Sequence, residues 1–370
     1  MIPISNPRGQ LEQIQTEIEQ TIRTVIESGS YVMGPHVERL EQEFAKKIGV
    51  TEAIAVANGT DALVLTLQSY GIGSGDEVIT TPFSFFATAE SISRVGATPV
   101  FVDVDPKTYT INPQKIEDKL TPATKAIMPV YLFGQPAAMD TINQIANYYG
   151  LIVVEDACQA FGATRGGQMV GSLGDAACFS FFPTKNLSTI GDGGIITTSD
   201  NKIAKRIRSL RVHGSSQKYF HDEIGFNSRL DEIHAAVILV CLKYINGWNN
   251  HRIELAKKYY QTLAPLTCMK LPYADKKGEH TYHLFCIASY QRDKLKGFLD
   301  KQGIQTGVYY PCCIHLQRAY REHGYQDGDY PIAEALANTL LAIPLFPSMT
   351  ELEQDSVVHA LEEFEVAQSW

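Results

Sequence analysis

Between residues 53 and 198, short apolar runs and helical patterns alternate, and this alternation restricts the fold more than any other feature of the chain. The apolar runs fall at 53–57, 77–81, 99–104, 125–131 and 151–156. Helical spacing fills the gaps, at 61–70, 85–95, 113–120 and 139–149. A strand that hands over to a helix before the next strand builds βαβ units, and so a largely parallel sheet covered by helices. Two more runs, 175–181 and 194–198, follow with no long helix between them, which predicts a mixed sheet of seven strands. Upstream, Leu11, Ile14, Ile18, Ile22, Val25 and Ile26 recur at helical spacing and predict one amphipathic helix, with a second at 37–48. Downstream come a basic helix at 201–212, a loop at 213–227 and a long helix at 230–263. Strands at 269–272 and 280–290 and helices at 292–302 and 351–367 predict a smaller α/β lobe. The boundary is placed inside the long helix, giving a large domain of residues 1–248 and a small one of residues 249–370.

Composition excludes several classes of function. The 370 residues are 44% hydrophobic, enough for two packed cores. With 32 Lys and Arg against 41 Asp and Glu, the net charge of −9 argues against a nucleic-acid partner, which calls for a basic face. The longest apolar run, near 233–242, is interrupted by His234 and falls well short of the roughly 18 residues of a membrane span. Residues 1–10 lack the apolar segment of an export signal, so the expectation is a cytoplasmic protein without a membrane partner. Seven cysteines, at 158, 178, 241, 268, 286, 312 and 313, form no Cys-x-x-Cys and are expected to be reduced.

The residues that carry chemistry lie at the ends of these strands. Lys185 leaves an apolar strand in Phe179-Ser-Phe-Phe-Pro-Thr-Lys185, where poor solvation would lower its basicity and make the amine a nucleophile for carbonyls. Asp156 ends the run Leu151-Ile-Val-Val-Glu-Asp156, at the sheet edge where open α/β folds bind ligands. A carboxylate there can keep a pyridine nitrogen protonated, as in pyridoxal phosphate (PLP) sites. Gln159 can present its amide to the same ring. Asn58-Gly-Thr-Asp61 opens a helix: Gly59 admits a close ligand, Thr60 and Asp61 can cap the helix, and its free amides suit a phosphate. Ser180 alternates with Phe179 and Phe181 and is a second phosphate contact. Among Phe83, Phe85 and Phe86, one ring can stack on a planar cofactor. Taken singly, each has an ordinary reading: a solvated lysine, a cap, a strand-to-helix turn, core phenylalanines. Together they describe a Schiff-base lysine, a pyridinium partner and a phosphate cradle at one sheet edge.

Other patterns compete less well. Cys312, Cys313 and His315 lack the second pair of a tetrahedral zinc set, so no metal is expected. Gly71-Ile-Gly-Ser-Gly75 precedes a strand rather than following one, the reverse of a dinucleotide loop. The basic helix, with Lys202, Lys205, Arg206, Arg208 and Arg211, reads as a solvated face that can assist an anionic ligand.

Glu155-Asp-Ala-Cys-Gln159, Phe179-Ser-Phe-Phe-Pro-Thr-Lys-Asn-Leu187, Gly191-Asp-Gly-Gly194 and Gly225-Phe-Asn-Ser-Arg-Leu-Asp231 resemble the DegT/StrS family of PLP-dependent nucleotide-sugar aminotransferases. The resemblance runs from Gly34-Pro35 to about Pro347 and implies the aspartate-aminotransferase-like fold (fold type I) and a homodimer with shared active sites. It also implies roles. Lys185 forms the Schiff base and shuttles the proton, Asp156 pairs with the pyridine nitrogen, and Gln159 lies near the ring's phenolic oxygen. Phe85 stacks, and Gly59, Thr60 and Ser180 hold the phosphate. Asn227 reaches the other subunit's phosphate, with Arg229 holding substrate there. Asn-Ser-Arg-Leu-Asp and Tyr309-Tyr-Pro-Cys-Cys-Ile-His-Leu-Gln317 resemble members that aminate C3 of a dTDP-linked 3-keto-6-deoxyhexose with L-glutamate as donor, making Tyr310 and His315 substrate-site candidates. The alternatives are amination at C4 of a UDP- or GDP-linked 4-keto sugar, a PLP-dependent sugar dehydratase, or a non-enzymatic regulatory relative. Cys158 stands where Ala is commoner, while Tyr131 and Phe161 each stand where His is commoner.

Overall fold

The computed structural model describes residues 1–368. Seven strands form the main sheet: β1 (Glu52–Val56), β2 (Glu77–Thr80), β3 (Thr98–Phe101), β4 (Thr124–Ile127), β5 (Ile152–Asp156), β6 (Ala176–Ser180) and β7 (Gly194–Thr198), in the order β1-β7-β6-β5-β4-β2-β3. All run parallel except β7, which pairs antiparallel with both β1 and β6. Alternation along each strand sends neighbouring side chains into two different cores. Ala53, Ala55, Val153, Ala177 and Phe179 join a core under helices α2 (Gln15–Ser28), α3 (Pro35–Ile48) and α8 (Glu232–Leu263). Ile54, Val56, Val154, Cys178 and Ile196 join the core on the opposite face, under α4 (Gly59–Ser69) and α7 (Asn201–Leu210).

Helix α8 passes through two environments. Its first half buries Ala235, Val237 and Ile238 against the main sheet. Its second half buries Leu255, Tyr259 and Leu263 in another core. That core also holds α9 (Arg292–Lys301), α11 (Glu351–Gln368) and the antiparallel pair β8 (Phe285–Ala288) and β9 (Leu340–Ile343). The N-terminus joins this second core: Ile2 N–H donates to Gly303 O at 2.8 Å, and Gln305 N–H to Ile2 O at 2.9 Å. A further cluster bridges the two bodies, joining Phe83, Phe101 and Phe133 to Cys286, Cys313 and Tyr320.

Several elements differ from expectation. The first amphipathic segment is two helices, α1 (Pro7–Glu12) and α2, because Asn6 caps a separate turn through Gly9 N–H and the chain leaves helical geometry at Ile14. The segment 113–120 forms two 3-10 turns rather than a helix. The strand expected to run to 104 ends at Phe101, and Asp103 turns away to accept from Ile332 and Ala333 N–H at the start of α10 (Pro331–Thr339). The 269–272 segment contributes a single bridge, Lys270 to Ala288.

Candidate active site

The loops leaving β1, β2, β4, β5 and β6, together with the start of β7, meet at one edge of the sheet. Asn58 caps α4, its side chain accepting from Asp61 N–H at 2.8 Å, so Thr60 and Asp61 lie inside the helix and are not its cap. The first intrahelical bond is Ala62 N–H to Asn58 O, which puts the Gly59 and Thr60 amides ahead of it, at the positive end of the helix. A side chain at 59 would meet Ser180 Cβ at 2.9 Å and Cys158 Sγ at 3.0 Å. Only glycine lets this turn sit so close to β6. Gly194 does the same from the other side, where an added Cβ would fall 2.4 Å from Asn58 O.

At the end of β5 two consecutive acids face opposite ways. Glu155 is wholly buried and accepts from Tyr131 OH at 2.8 Å and from the amides of Gly171, Leu173 and Gly174 at 2.7–2.8 Å. It fastens a turn, and Tyr131 supplies one of its donors. Asp156, one position on, shares its face with Ser180 and accepts at Oδ2 from Thr88 Oγ1 at 2.7 Å. Its Oδ1 accepts from Cys158 N–H at 3.3 Å. Thr88 is held in turn by Ser84 Oγ, 2.9 Å away.

Lys185 follows a turn closed by its own N–H to Phe182 O at 2.8 Å. Burial lowers its pKa below the ordinary lysine value, with Cys158 and Asp156 pulling the other way. His283, which no motif pointed to, lies in the same field. Burial and then the charges of Lys185 and Arg252 hold its imidazole well below the usual range. Gln159 is locked in direction. Its Oε1 accepts from Phe133 N–H at 2.8 Å, so its Nε2 donates to Tyr310 OH at 3.1 Å. The three phenylalanines separate clearly: Phe83 is fully buried and Phe86 packs on Tyr320, while Phe85 is 56% exposed with its ring 6.1 Å from that of Tyr310.

Not every candidate joins this cluster. His315 is 1% exposed, enclosed by Phe101, Tyr325 and Tyr330, with Nε2 3.0 Å from Glu334 Oε1. It is a core histidine rather than one open to a ligand, a correction to its reading as a substrate contact. Asn227 is exposed and Arg229 half-buried. Ser228, between them, is buried, and its Oγ accepts from Ala57 N–H at 3.2 Å. The basic helix is largely spent on internal pairs: Arg206 on Glu223, Arg208 on Glu41 and Glu52, and Arg211 on Glu41. Thr88 and Ser84 were the residues that the sequence did not single out: Ser84 lies in the loop before the helix and Thr88 in its first turn.

The donor set fits a flat cofactor carrying a phosphate. It offers an amine of lowered basicity, a carboxylate anchored on one oxygen, an open aromatic ring, and two amides in a cradle that a Cβ would fill.

Comparison with known proteins finds relatives along nearly the whole chain. The model of the DegT/DnrJ/EryC1/StrS aminotransferase family matches residues 12–362. A protein named pleiotropic regulatory protein, from Geobacillus stearothermophilus, is 44% identical and covers 98% of each chain. A dTDP-3-amino-3,6-dideoxy-alpha-D-galactopyranose transaminase from Aneurinibacillus thermoaerophilus is 43% identical over 98% of this chain and 99% of its own. Among solved structures, DesV of S. venezuelae in complex with a ketimine intermediate superposes with a TM-score of 0.97 at 39% identity, covering 98% of both chains. The chain belongs to the DegT/DnrJ/EryC1/StrS aminotransferase family.

Proposed function

We propose that this PLP-dependent sugar aminotransferase moves the amino group of L-glutamate to the C3 keto group of a dTDP-linked 3-keto-6-deoxyhexose. The observation that carries the reading is Lys185, an amine whose burial lowers its basicity, placed in the field of Asp156 at the edge of the sheet. PLP supplies an electrophilic carbonyl and an electron-withdrawing ring when bound. Lys185 would hold the cofactor through its amine and would take and return the proton at the reacting carbon. Asp156 keeps the ring nitrogen protonated. Phe85 covers the ring, and Gly59, Thr60 and Ser180 hold the phosphate. Gln159 would contact the ring near its phenolic oxygen, and Tyr310, hydrogen-bonded to Gln159, would face the sugar.

Residues 1–248 form the cofactor-holding domain and residues 249–370 the smaller one. Two copies complete each other's sites: Asn227 reaches the phosphate in the other copy, and Arg229 helps to hold substrate there. Exposed Phe182, Ile190, Tyr219, Phe220 and Ile224 offer the apolar surface that such a dimer covers. No helix among the described residues is long and apolar enough to cross a membrane, and the enzyme is assigned to the cytoplasm.

C3 and dTDP are supported by the Asn-Ser-Arg-Leu-Asp segment and by the transaminase relative named for a dTDP-3-amino sugar. The dehydratase alternative calls for His at position 185. The regulatory alternative gives no reason for a lysine of lowered basicity beside an open aromatic ring. The test is incubation with L-glutamate and either a 3-keto or a 4-keto nucleotide sugar, the amine position being read by NMR. Amine at C3 is expected. Amine at C4, or none from either sugar, overturns the assignment.

A further inference from the structure

The loop after β2 supplies more than the stacking ring. Ser84, Phe85 and Thr88 fall within five residues, and α5 (Ala87–Arg94) begins between them. Thr88 is 1% exposed and Ser84 4%, so neither hydroxyl exchanges partners with bulk water. Thr88 Oγ1 lies 2.7 Å from Asp156 Oδ2 and 2.9 Å from Ser84 Oγ. An ionised carboxylate only accepts. The Thr88 proton therefore points at Asp156, and the proton between the two hydroxyls has to come from Ser84. The chain Ser84 to Thr88 to Asp156 thus runs in a single direction.

We propose that Thr88, directed by Ser84, is a positioning residue that fixes the rotation of the Asp156 carboxylate, so that its other oxygen is aimed at the ring nitrogen and holds the proton there. The inference rests on the PLP reading of the site and deepens it. Occupying Oδ2 leaves Oδ1, whose Cys158 N–H contact is the longer one at 3.3 Å, as the oxygen free to turn to a ring. One short segment then sets two properties of the bound ring: Phe85 sets its stacking and Thr88 its protonation.

Thr88→Val keeps the side-chain shape and removes the hydroxyl, while Thr88→Ser keeps the hydroxyl. The cofactor-stripped full-length chain is reloaded with PLP labelled with 15N at the ring nitrogen, and both the dissociation constant and the 15N resonance are read. In T88V the resonance moves toward that of a neutral pyridine and PLP binds about tenfold more weakly or worse, the scale of a lost hydrogen bond to a charged group. kcat falls by a similar factor with KM for the sugar little changed. T88S returns all three toward wild type. T88V with the wild-type resonance and affinity overturns the proposal. Should T88V not fold, Ser84→Ala decides: a partial shift of the resonance supports the directed chain, and none overturns it. Wild-type chain that binds no PLP would overturn the reading of the site itself, which separates the two failures.

Discussion

Two clusters of buried charge, one beside β1 and one at the end of β5, are built on opposite principles. Around Glu41 both carboxylate oxygens are paired with arginine. Arg211 NH1 donates to Glu41 Oε1 and to Ala55 O, Arg208 donates to Glu41 Oε2 and Glu52, and Glu41 also accepts from Ala55 N–H. Around Asp156 there are hydrogen bonds to both oxygens but, among the described residues, no salt bridge. One carboxylate oxygen is fixed by Thr88, and Lys185 stands in the same field with its basicity lowered by burial. Paired charge locks a helix onto a sheet, and charge without a salt bridge is available to a ligand. The five basic residues of the 201–212 segment look more like an anion site in sequence than the single Lys185 does, yet three of them serve the fold.

The contrast predicts that the two clusters fail differently. Lys185→Ala removes the group that moves the proton, so turnover falls by about 10²–10⁴-fold or more while thermal unfolding changes little. A K185A chain at wild-type rate breaks the distinction. Arg211→Ala leaves Glu41 buried against Arg208 alone. Stability falls by about 3 kcal/mol, the lower end of the range for breaking a buried pair, with kcat of the folded fraction unchanged. Urea unfolding beside steady-state kinetics separates the two effects.

Smaller effects sharpen the comparison. Glu232 is fully buried and accepts from the amides of Gly34, His36 and Val37 and from His36 Nδ1, pinning the start of α3 to the start of α8. Glu232→Gln turns an amide donor toward these donors and costs about 1–3 kcal/mol by denaturant titration. Asn58→Ala removes the α4 cap and costs about 1 kcal/mol, with PLP affinity reduced because the Gly59 turn loosens. An N58A chain with weakened folding and unaltered PLP affinity would detach that turn from the site.

Much of this was legible before any coordinates. The strand-and-helix alternation found the seven-stranded sheet, and the C-terminal end of the Met139–Tyr149 helix was located because Gly150, in the left-handed region, stops it. What escaped was structure without punctuation. Helix α10 passes directly into β9 at Thr339–Leu340 with neither Gly nor Pro between them, so the change from helix to strand inside 331–343 carried no boundary signal. At the site, Asp156 was picked out because it ends an apolar run, and Lys185 and Gln159 because they follow such runs closely. His315 misled because a motif gives identity and spacing but not the enclosure formed by Phe101, Tyr325 and Tyr330, residues distant in sequence or folded back. Thr88 was overlooked because a threonine in a helix has no spacing signature of its own partner, here 68 residues away.

The central claim is that Lys185 is the uncommitted group that performs the proton transfer. It is tested most directly by adding L-glutamate alone to the PLP-loaded chain and following the visible absorbance of the cofactor in a single turnover. The account predicts that the yellow band of the wild-type chain disappears, and that in a PLP-loaded K185A chain of unchanged fold it persists. Bleaching of K185A at the wild-type rate would contradict it.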